Sequence, residues 1–378
     1  MNRVLLLTTP FRPNIGGVET HLDDLISEGI SQQLNFTVLT YQPLITEVYG
    51  KLIEKDKKLT IFRLPWIRGN LFLRLEKYPL FEFLYLFPAL FLIGLIYLFF
   101  NDAEIKVIHA QGLIAGTVGV ILAKIFNKKI IISTHSVYNF SPNSIYRNFV
   151  KIILNLSDQI LTLSLQSKQE IIQLGINMNK VTVFRYWVNQ QIFKKLDKKK
   201  CRKILNLPLK AKIVLFVGRL IEVKGVKELI KVAKNSKSKT YYLIVGDGYL
   251  AKEIERASIN HPQIIFRGRV DNWNLATYYN ASDILIVPST HEEGFGRVIL
   301  EALSCGLPVI GANRGGIKES LNNEVGILID ISPNNIAKAI LEVFRSPEKL
   351  RNMRIKSVKF AKKNYSSKNS KMIFKFYD

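Results

Sequence analysis

At 378 residues, 48% hydrophobic and 22% charged, the chain has the length and composition of two globular domains, each able to bury its own core, and a disordered chain is excluded. Cys201 and Cys305 are the only cysteines, which excludes a disulfide framework and a cysteine metal cluster and points to a reducing, cytoplasmic setting. The net charge of +24 is uneven: residues 1–185 carry 19 Lys and Arg against 13 Asp and Glu, an excess of 6, and residues 186–378 carry 35 against 17, an excess of 18.

In chain order, the opening run MNRVLLLTTPF is too short in its apolar part for a signal peptide and reads as a first buried strand. Short apolar and β-branched runs predict strands at 4–9, 36–41, 60–64, 106–111, 129–134, 159–164 and 180–185, with amphipathic stretches such as 18–28 and 113–126 between them. Residues 83–100 (FLYLFPALFLIGLIYLFF) carry no charge and reach the minimum length of a membrane span. Pro88, Gly94 and the position between two predicted strands favour a helix buried or docked at the surface, with a contact in the plane of a membrane as the alternative. Charge density rises over 194–203 (KKLDKKKCRK), and the strand pattern restarts at 213–217, 241–245, 264–266, 284–287, 308–310 and 326–329.

Such alternation predicts parallel sheets covered on both faces. The expected fold is α/β: two Rossmann-like parallel-sheet domains facing a cleft, with a first domain over 1–190, a second over 191–355, and closing helices over 356–378 that pack back on the first domain. Ligands of such sheets bind at the carboxyl ends of the strands.

Three loops carry the chemistry. The segment 291–302 (HEEGFGRVILEA) runs from a strand through a glycine-bracketed loop into an apolar helix, with Glu293 on the loop and Glu301 about one turn into the helix. Glycines let backbone N–H groups approach a ligand, and carboxylates accept from the paired hydroxyls of a pyranose or a ribose. Two acidic residues near a helix start are also simply favourable to its dipole. Arg219 and Lys224, in GRLIEVKG, bracket a second strand-to-helix loop and suit the two phosphates of a pyrophosphate. Gly16 and Gly17, in PFRPNIGGVETH, follow the first strand and open a helix, again a phosphate-like arrangement. No G-x-G-x-x-G and no P-loop lysine accompany them.

These motifs, in this order, resemble the family-four retaining glycosyltransferases of the GT-B fold, the glycosyl transferases group 1. The resemblance extends through LIVGDG (243–248), IIFRGRV (264–270), the long segment 278–319 and GILID (326–330), and is looser in the first half. It implies transfer of a hexose or N-acetylhexosamine from a nucleotide diphosphate sugar to an acceptor hydroxyl, with retention of configuration. By that similarity Glu293 holds the donor sugar and Glu301 the ribose hydroxyls. Arg219 and Lys224 bind the diphosphate, Gly17 and the backbone of Gly294, Phe295 and Gly296 close around it, and residues 265–270 line the nucleobase. His135 matches the position beside the donor sugar; His21 and His109 are weaker candidates. Gln111 stands where the family often has a second histidine, Lys318 where a proline is common and Asn189 where an aspartate is usual.

The chain contains no Asp-x-Asp, so no metal and no other cofactor is expected, and cations with helix N-termini would stabilise the departing diphosphate. A nucleotide-sugar epimerase or a phosphorylase of the same fold is the alternative. Acceptor contacts are expected in the loops 43–58, 66–79 and 137–144. The basic excess and the apolar run suggest a lipid-linked or glycan acceptor and a peripheral contact with an anionic membrane at its cytoplasmic face. The lysines are not interleaved with aromatic residues and no nucleic-acid-binding motif occurs, so nucleic acid is not an expected partner.

Overall fold

The computed structural model describes residues 3–378 apart from 15, 45–47, 68, 76–77, 136–137, 139–143 and 237–238. Most of the expected acceptor loop 137–144 therefore lies outside the described residues. Contacts divide the chain into two units, Met1–Arg185 with Lys368–Asp378, and Tyr186–Ser367.

Among the described residues, the first unit is built on eight strands: β1 (Arg3–Thr8), β2 (Asn35–Tyr41), β3 (Ile53–Lys55), β4 (Leu59–Leu64), β5 (Ile105–Gln111), β6 (Lys129–Ser133), β7 (Gln159–Thr162) and β8 (Val181–Val183). Their order is β3-β4-β2-β1-β5-β6-β7-β8, parallel except for β3, which pairs antiparallel with β4. β2, with the sequence NFTVLTY, is buried along its whole length, as a strand covered on both faces must be. The helices are α1 (Gly17–Ser31), α2 (Asn70–Leu75), α3 (Pro79–Asn101), α4 (Gly112–Ile125), α5 (Ile145–Leu156) and α6 (Leu165–Gln173). β3 and α2 fall within segments read from the sequence as loops.

The uncharged run forms α3. Leu86, Leu90, Gly94 and Leu98 face inward, and Gly94 packs so tightly on α4 that a Cβ there would lie 2.5 Å from Leu122 Cδ1. Pro88 interrupts the helix ladder. One turn is bridged by Tyr41 of β2, whose hydroxyl donates to the Leu86 carbonyl and accepts from Leu90 N at 3.1 Å. The outer stripe, Phe81, Leu84, Leu92, Ile96, Phe99 and Phe100, is exposed. Phe83 meets Phe149 of α5 edge-on at 5.5 Å, and α5 exposes Ile145, Ile152 and Leu156. The run is thus a surface-docked helix with one apolar face left uncovered among the described residues.

The second unit carries β9 (Lys212–Val217), β10 (Thr240–Val245), β11 (Ile264–Phe266), β12 (Ile284–Val287), β13 (Val309–Ala312) and β14 (Gly326–Ile329), all parallel in the order β11-β10-β9-β12-β13-β14. Its helices are α7 (Lys198–Ile204), α8 (Val226–Lys234), α9 (Ala251–Asn260), α10 (Asn272–Ala281), α11 (Arg297–Ser304), α12 (Gly315–Ser320), α13 (Pro333–Arg345) and α14 (Pro347–Asn364). α13 buries Ile336, Ala339, Ile340 and Val343 at helical spacing, and its start is fixed by Pro333 at the first position and by the Ser332 hydroxyl, which accepts from Asn335 N.

The basic stretch enters this unit as α7, held by one buried arginine. Arg202 Nη2 lies 2.9 Å from Asp283 Oδ2, and the same guanidinium donates to the carbonyls of Ala281, Leu209 and Ala211. α14 runs across residue 356, where the sequence suggested a boundary, and the second unit continues to Ser367. The last residues belong to the first unit, where the Tyr377 hydroxyl lies 2.7 Å from His109 Nδ1.

Candidate active site

In each unit the chain winds outward from a central strand first to one side and then to the other. β1 lies between β2 and β5, and β9 between β10 and β12. The carboxyl ends at such a reversal open a crevice without any special insertion, and Gly16, Arg219, Lys224 and Glu293 lie just past these ends, while His135 follows β6 and Glu301 sits inside α11.

In the second unit, the loop after β9 ends in Lys224 and Gly225. Gly225 has φ +69°, and a Cβ there would lie 1.8 Å from the Pro288 carbonyl oxygen, so this turn rests directly on the loop after β12. Thr290 N and His291 Nδ1 reach the Val223 carbonyl at 2.9 and 3.0 Å. Held this way, Lys224 Nζ stands 2.9 Å from Glu293 Oε1, and the Ser289 hydroxyl donates to the same carboxylate. Burial alone would raise the Glu293 carboxyl, but Lys224 and Ser289 outweigh it and hold it below its ordinary range. The third wall comes from the turn before α12. Gly316 N donates to the Glu293 carbonyl at 2.8 Å, and a Cβ on Gly316 would lie 1.8 Å from the Gly294 carbonyl oxygen. Arg314 Nη1 donates to the Thr290 carbonyl at 2.5 Å.

Gly296, at φ +72°, caps α11, while the Phe295 ring between the two glycines is buried against Tyr186 and Tyr365 and anchors the loop. Glu301 is placed differently from Glu293. It is only 3% exposed, and its carboxylate accepts from the Tyr279 hydroxyl at 2.8 Å and from Arg297 Nε at 3.2 Å. Arg297 in turn donates to the Trp187 carbonyl at 3.2 Å. The two glutamates thus occupy separate polar clusters with no shared partner in these contacts. Arg219 stands exposed past the end of β9. Ser289, Tyr279, Arg297 and Arg314 were not singled out from the sequence; only the Arg297–Glu301 spacing of four on a helix gave a signal.

In the first unit, Gly16 caps α1 with extended backbone, and the Gly16 carbonyl accepts from Thr20 N at 3.1 Å. The preceding loop is tied down by Arg12, which bonds Asp23 at 3.2 Å and Glu54 of β3 at 2.7 Å. His135, just past β6, places Nε2 2.8 Å from Gln111 Oε1 at the end of β5, and its ring centroid is 6.1 Å from that of His21. Burial lowers the His135 imidazole to about 4. His109, beneath, bonds Tyr377 and Ser133, each at 2.7 Å, and burial, with His135 nearby, lowers it to about 3. Both rings are therefore neutral at pH 7.

Two parallel-sheet α/β domains are the architecture of the GT-B glycosyltransferases. The chain belongs to the group 1 glycosyl transferases: residues 197–360 match the family model described as glycosyl transferases group 1, and residues 15–191 the model described as glycosyltransferase family 4. An uncharacterised glycosyltransferase of Methanocaldococcus jannaschii is 26% identical across 98% of this chain and 97% of its own length. Among solved structures, the sucrose-phosphate synthase of Thermosynechococcus elongatus superposes with a TM-score of 0.83 at 21% identity, covering 100% of this chain and 98% of that one. The Anabaena protein HepE, solved with UDP-glucose, gives a TM-score of 0.77 at 20% identity over 99% and 98% of the two chains.

Proposed function

We propose that this transferase is retaining and metal-independent, moving a hexose or N-acetylhexosamine from a nucleotide diphosphate sugar to a hydroxyl of a lipid-linked or glycan acceptor. The observation that carries the reading is the Lys224–Glu293 pair at the reversal of the second sheet. A cation and a carboxylate held side by side suit a ligand that offers a phosphate and a sugar hydroxyl next to each other. Lys224, helped by the exposed Arg219, takes the diphosphate, and Glu293, ionised at neutral pH, accepts from the sugar. Glu301 is the acceptor for the ribose hydroxyls, its orientation set by Tyr279 and Arg297. The loop Gly294-Phe295-Gly296 offers backbone N–H groups, and in the first unit His135 and the α1 start at Gly16 and Gly17 present further polar contacts.

Bond cleavage places a full negative charge on the leaving diphosphate. Fixed cations stabilise that charge without reorganising, and no Asp-x-Asp is present in the sequence to bring a metal to it. The leaving phosphate, on the same face as the incoming hydroxyl, takes its proton as the new glycosidic bond forms, so the configuration is kept. HepE, a protein of similar fold bound to UDP-glucose, supports a nucleotide diphosphate hexose as donor.

The site of action we assign is the cytoplasmic face of an anionic membrane. The uncovered stripe of α3, about 35 Å long at 1.5 Å per residue, suits a helix lying in the interface, and the net charge of +24 suits acidic lipids. The two buried free cysteines fit a reducing compartment.

A donor screen tests the reading. The purified protein is offered UDP-, GDP-, ADP- and dTDP-hexoses and release of the nucleotide diphosphate is followed; slow release from at least one is expected, and none from any would refute it.

A further inference from the structure

The basic stretch that opens the second unit has no part in the donor reading, and the chain folds it around a pocket of its own. That pocket, of about 600 Å³, lies between α7, the turn that leads into β9, and the junction of α13 with α14. Lys212 opens β9 and Asp283 immediately precedes β12. The pocket therefore sits at the amino ends of the two central strands, at the opposite end of the sheet from Lys224 and Glu293.

Its charge is one-sided. Lys198, Lys199, Arg202, Lys210 and Lys212 line it against Asp197 and Asp283, an excess of three positive charges. Both carboxylates are already committed. Asp197 caps α7 by accepting from Lys200 N at 2.7 Å. Asp283 is shared by Lys198, by Arg202 at 2.9 Å and by Arg354 of α14 at 3.6 Å. Arg202 is itself spent on that carboxylate and on backbone carbonyls. Lys199, Lys210 and Lys212 are exposed, and none of them pairs with a carboxylate among the described residues. Burial, opposed by Asp283 and reinforced by Arg354, holds the Lys198 ammonium below its ordinary value. Like charges gathered on a concave wall focus their field into it, and an anion seated there relieves their repulsion.

The rest of the lining is apolar: Leu209, Ala211, Phe344, Pro347 and Leu350. Lys212 joins the two parts, its Nζ donating to the Phe344 carbonyl at 3.1 Å and lying 5.1 Å from the centre of that ring. A bare inorganic ion would leave the apolar wall unused, whereas an anion on a small carbon body covers both. Ammonium groups on flexible stems take a phosphate as point charges, without the fork geometry that arginine demands.

We propose that this pocket binds a phosphate monoester with a small carbon body, held by Lys198, Lys199, Lys210 and Lys212, at a site separate from the donor site. Two sources share that chemistry, a soluble phosphorylated compound and the phosphomonoester headgroup of an acidic lipid. The inference is independent of the transferase reading, and its test needs no activity.

Titration calorimetry of the full chain with glycerol 3-phosphate reads the soluble source, and flotation with phosphatidylcholine vesicles, with and without phosphatidic acid, reads the lipid source. The pocket variant is Lys199→Gln with Lys210→Gln, both exposed and outside the ion pairs that hold α7. The control is Lys359→Gln with Lys363→Gln, exposed on α14, which removes the same charge elsewhere. Glycerol 3-phosphate is expected to bind the wild type, the pocket variant at least about tenfold more weakly, and the control variant and Lys224→Ala like the wild type. If the soluble ester does not bind but flotation on phosphatidic acid falls in the pocket variant and not in the control, the ligand is the lipid headgroup and the inference stands. Binding unchanged in the pocket variant, or weakened equally in both double variants, marks diffuse surface attraction and overturns it. Loss of binding in Lys224→Ala places the phosphate at the donor site and also overturns it, as does a wild type that binds neither probe.

Discussion

Lys224 Nζ and Glu293 Oε1, carried by loops that follow two different strands, stand 2.9 Å apart because Gly225 lets one loop rest on the backbone of the other. Their side chains are 19% and 11% exposed, so the pair is largely removed from water before any ligand arrives. Replacing Glu293 or Lys224 by alanine is expected to lower turnover by at least about two orders of magnitude, the scale seen when a preorganised charge is lost. Circular dichroism and nucleotide-release rates check it; a folded variant turning over near the wild-type rate contradicts the assignment.

The same pair makes stability depend on pH. The Glu293 carboxyl is held below its ordinary value of 4.5, so its contribution is fully present above that value and is lost as pH falls through the lower folded one. Glu293→Gln should therefore melt below the wild type at pH 7, and the gap should close on acidification below about pH 4.5. Thermal melts across that range read it, and a gap that widens toward low pH would mean that the carboxylate is not stabilised by Lys224.

Gly316 is predicted to tolerate no side chain. A Cβ there would lie 1.8 Å from the Gly294 carbonyl oxygen, whereas a Cβ on Gly268 has nothing within 4 Å. Gly316→Ala must displace the loop that carries Glu293, and a displacement of about 1 Å at such a site costs on the order of a hundredfold in rate. Measured donor cleavage by Gly316→Ala within a factor of a few of the wild type would show that the loop is not held by this contact.

Membrane binding is predicted to reside on α3. Phe99 and Phe100 are 74% and 76% exposed, and serine at both should abolish co-flotation with anionic vesicles while leaving the melting temperature within a few degrees. Wild-type binding should weaken with salt and be absent on neutral vesicles. If the wild-type protein floats with neither vesicle type at low ionic strength, the peripheral reading fails and a soluble acceptor takes its place.

The apolar runs at Ile264–Phe266, Ile284–Val287 and Gly326–Ile329 predict strands with the bounds that the structure shows, whereas β7 and β8 are shorter than their runs, ending at Thr162 and Val183. β3 carries no such signal, because Ile53-Glu54-Lys55 is short and mostly exposed; it pairs antiparallel with β4, and its Glu54 meets Arg12 and Arg63. The loops of the candidate site were legible as glycine-bracketed turns after strands, but not which side chains meet across them. Nothing local to Ser289 or Lys224 says that both reach the Glu293 carboxylate. Likewise α11 is buried nearly all round, so Glu301 and Arg297 lie inside the unit, which a reading of charges near a helix start could not anticipate. Gln111 reads from the sequence as a departure from a family pattern, and nothing local to it says that its amide oxygen lies 2.8 Å from His135 Nε2.

The central claim is transfer from a nucleotide diphosphate sugar, without a metal and with retention, by a site built on Lys224 and Glu293. It is tested most directly by proton NMR of the reaction in EDTA, using the donor found in the screen, with wild-type protein and Glu293→Gln side by side. The account predicts that the wild type releases the nucleotide diphosphate, that the first-formed sugar product keeps the anomeric configuration of the donor, and that Glu293→Gln does neither at a comparable rate. A product of inverted configuration, a strict need for an added divalent cation, or undiminished turnover by Glu293→Gln would contradict it.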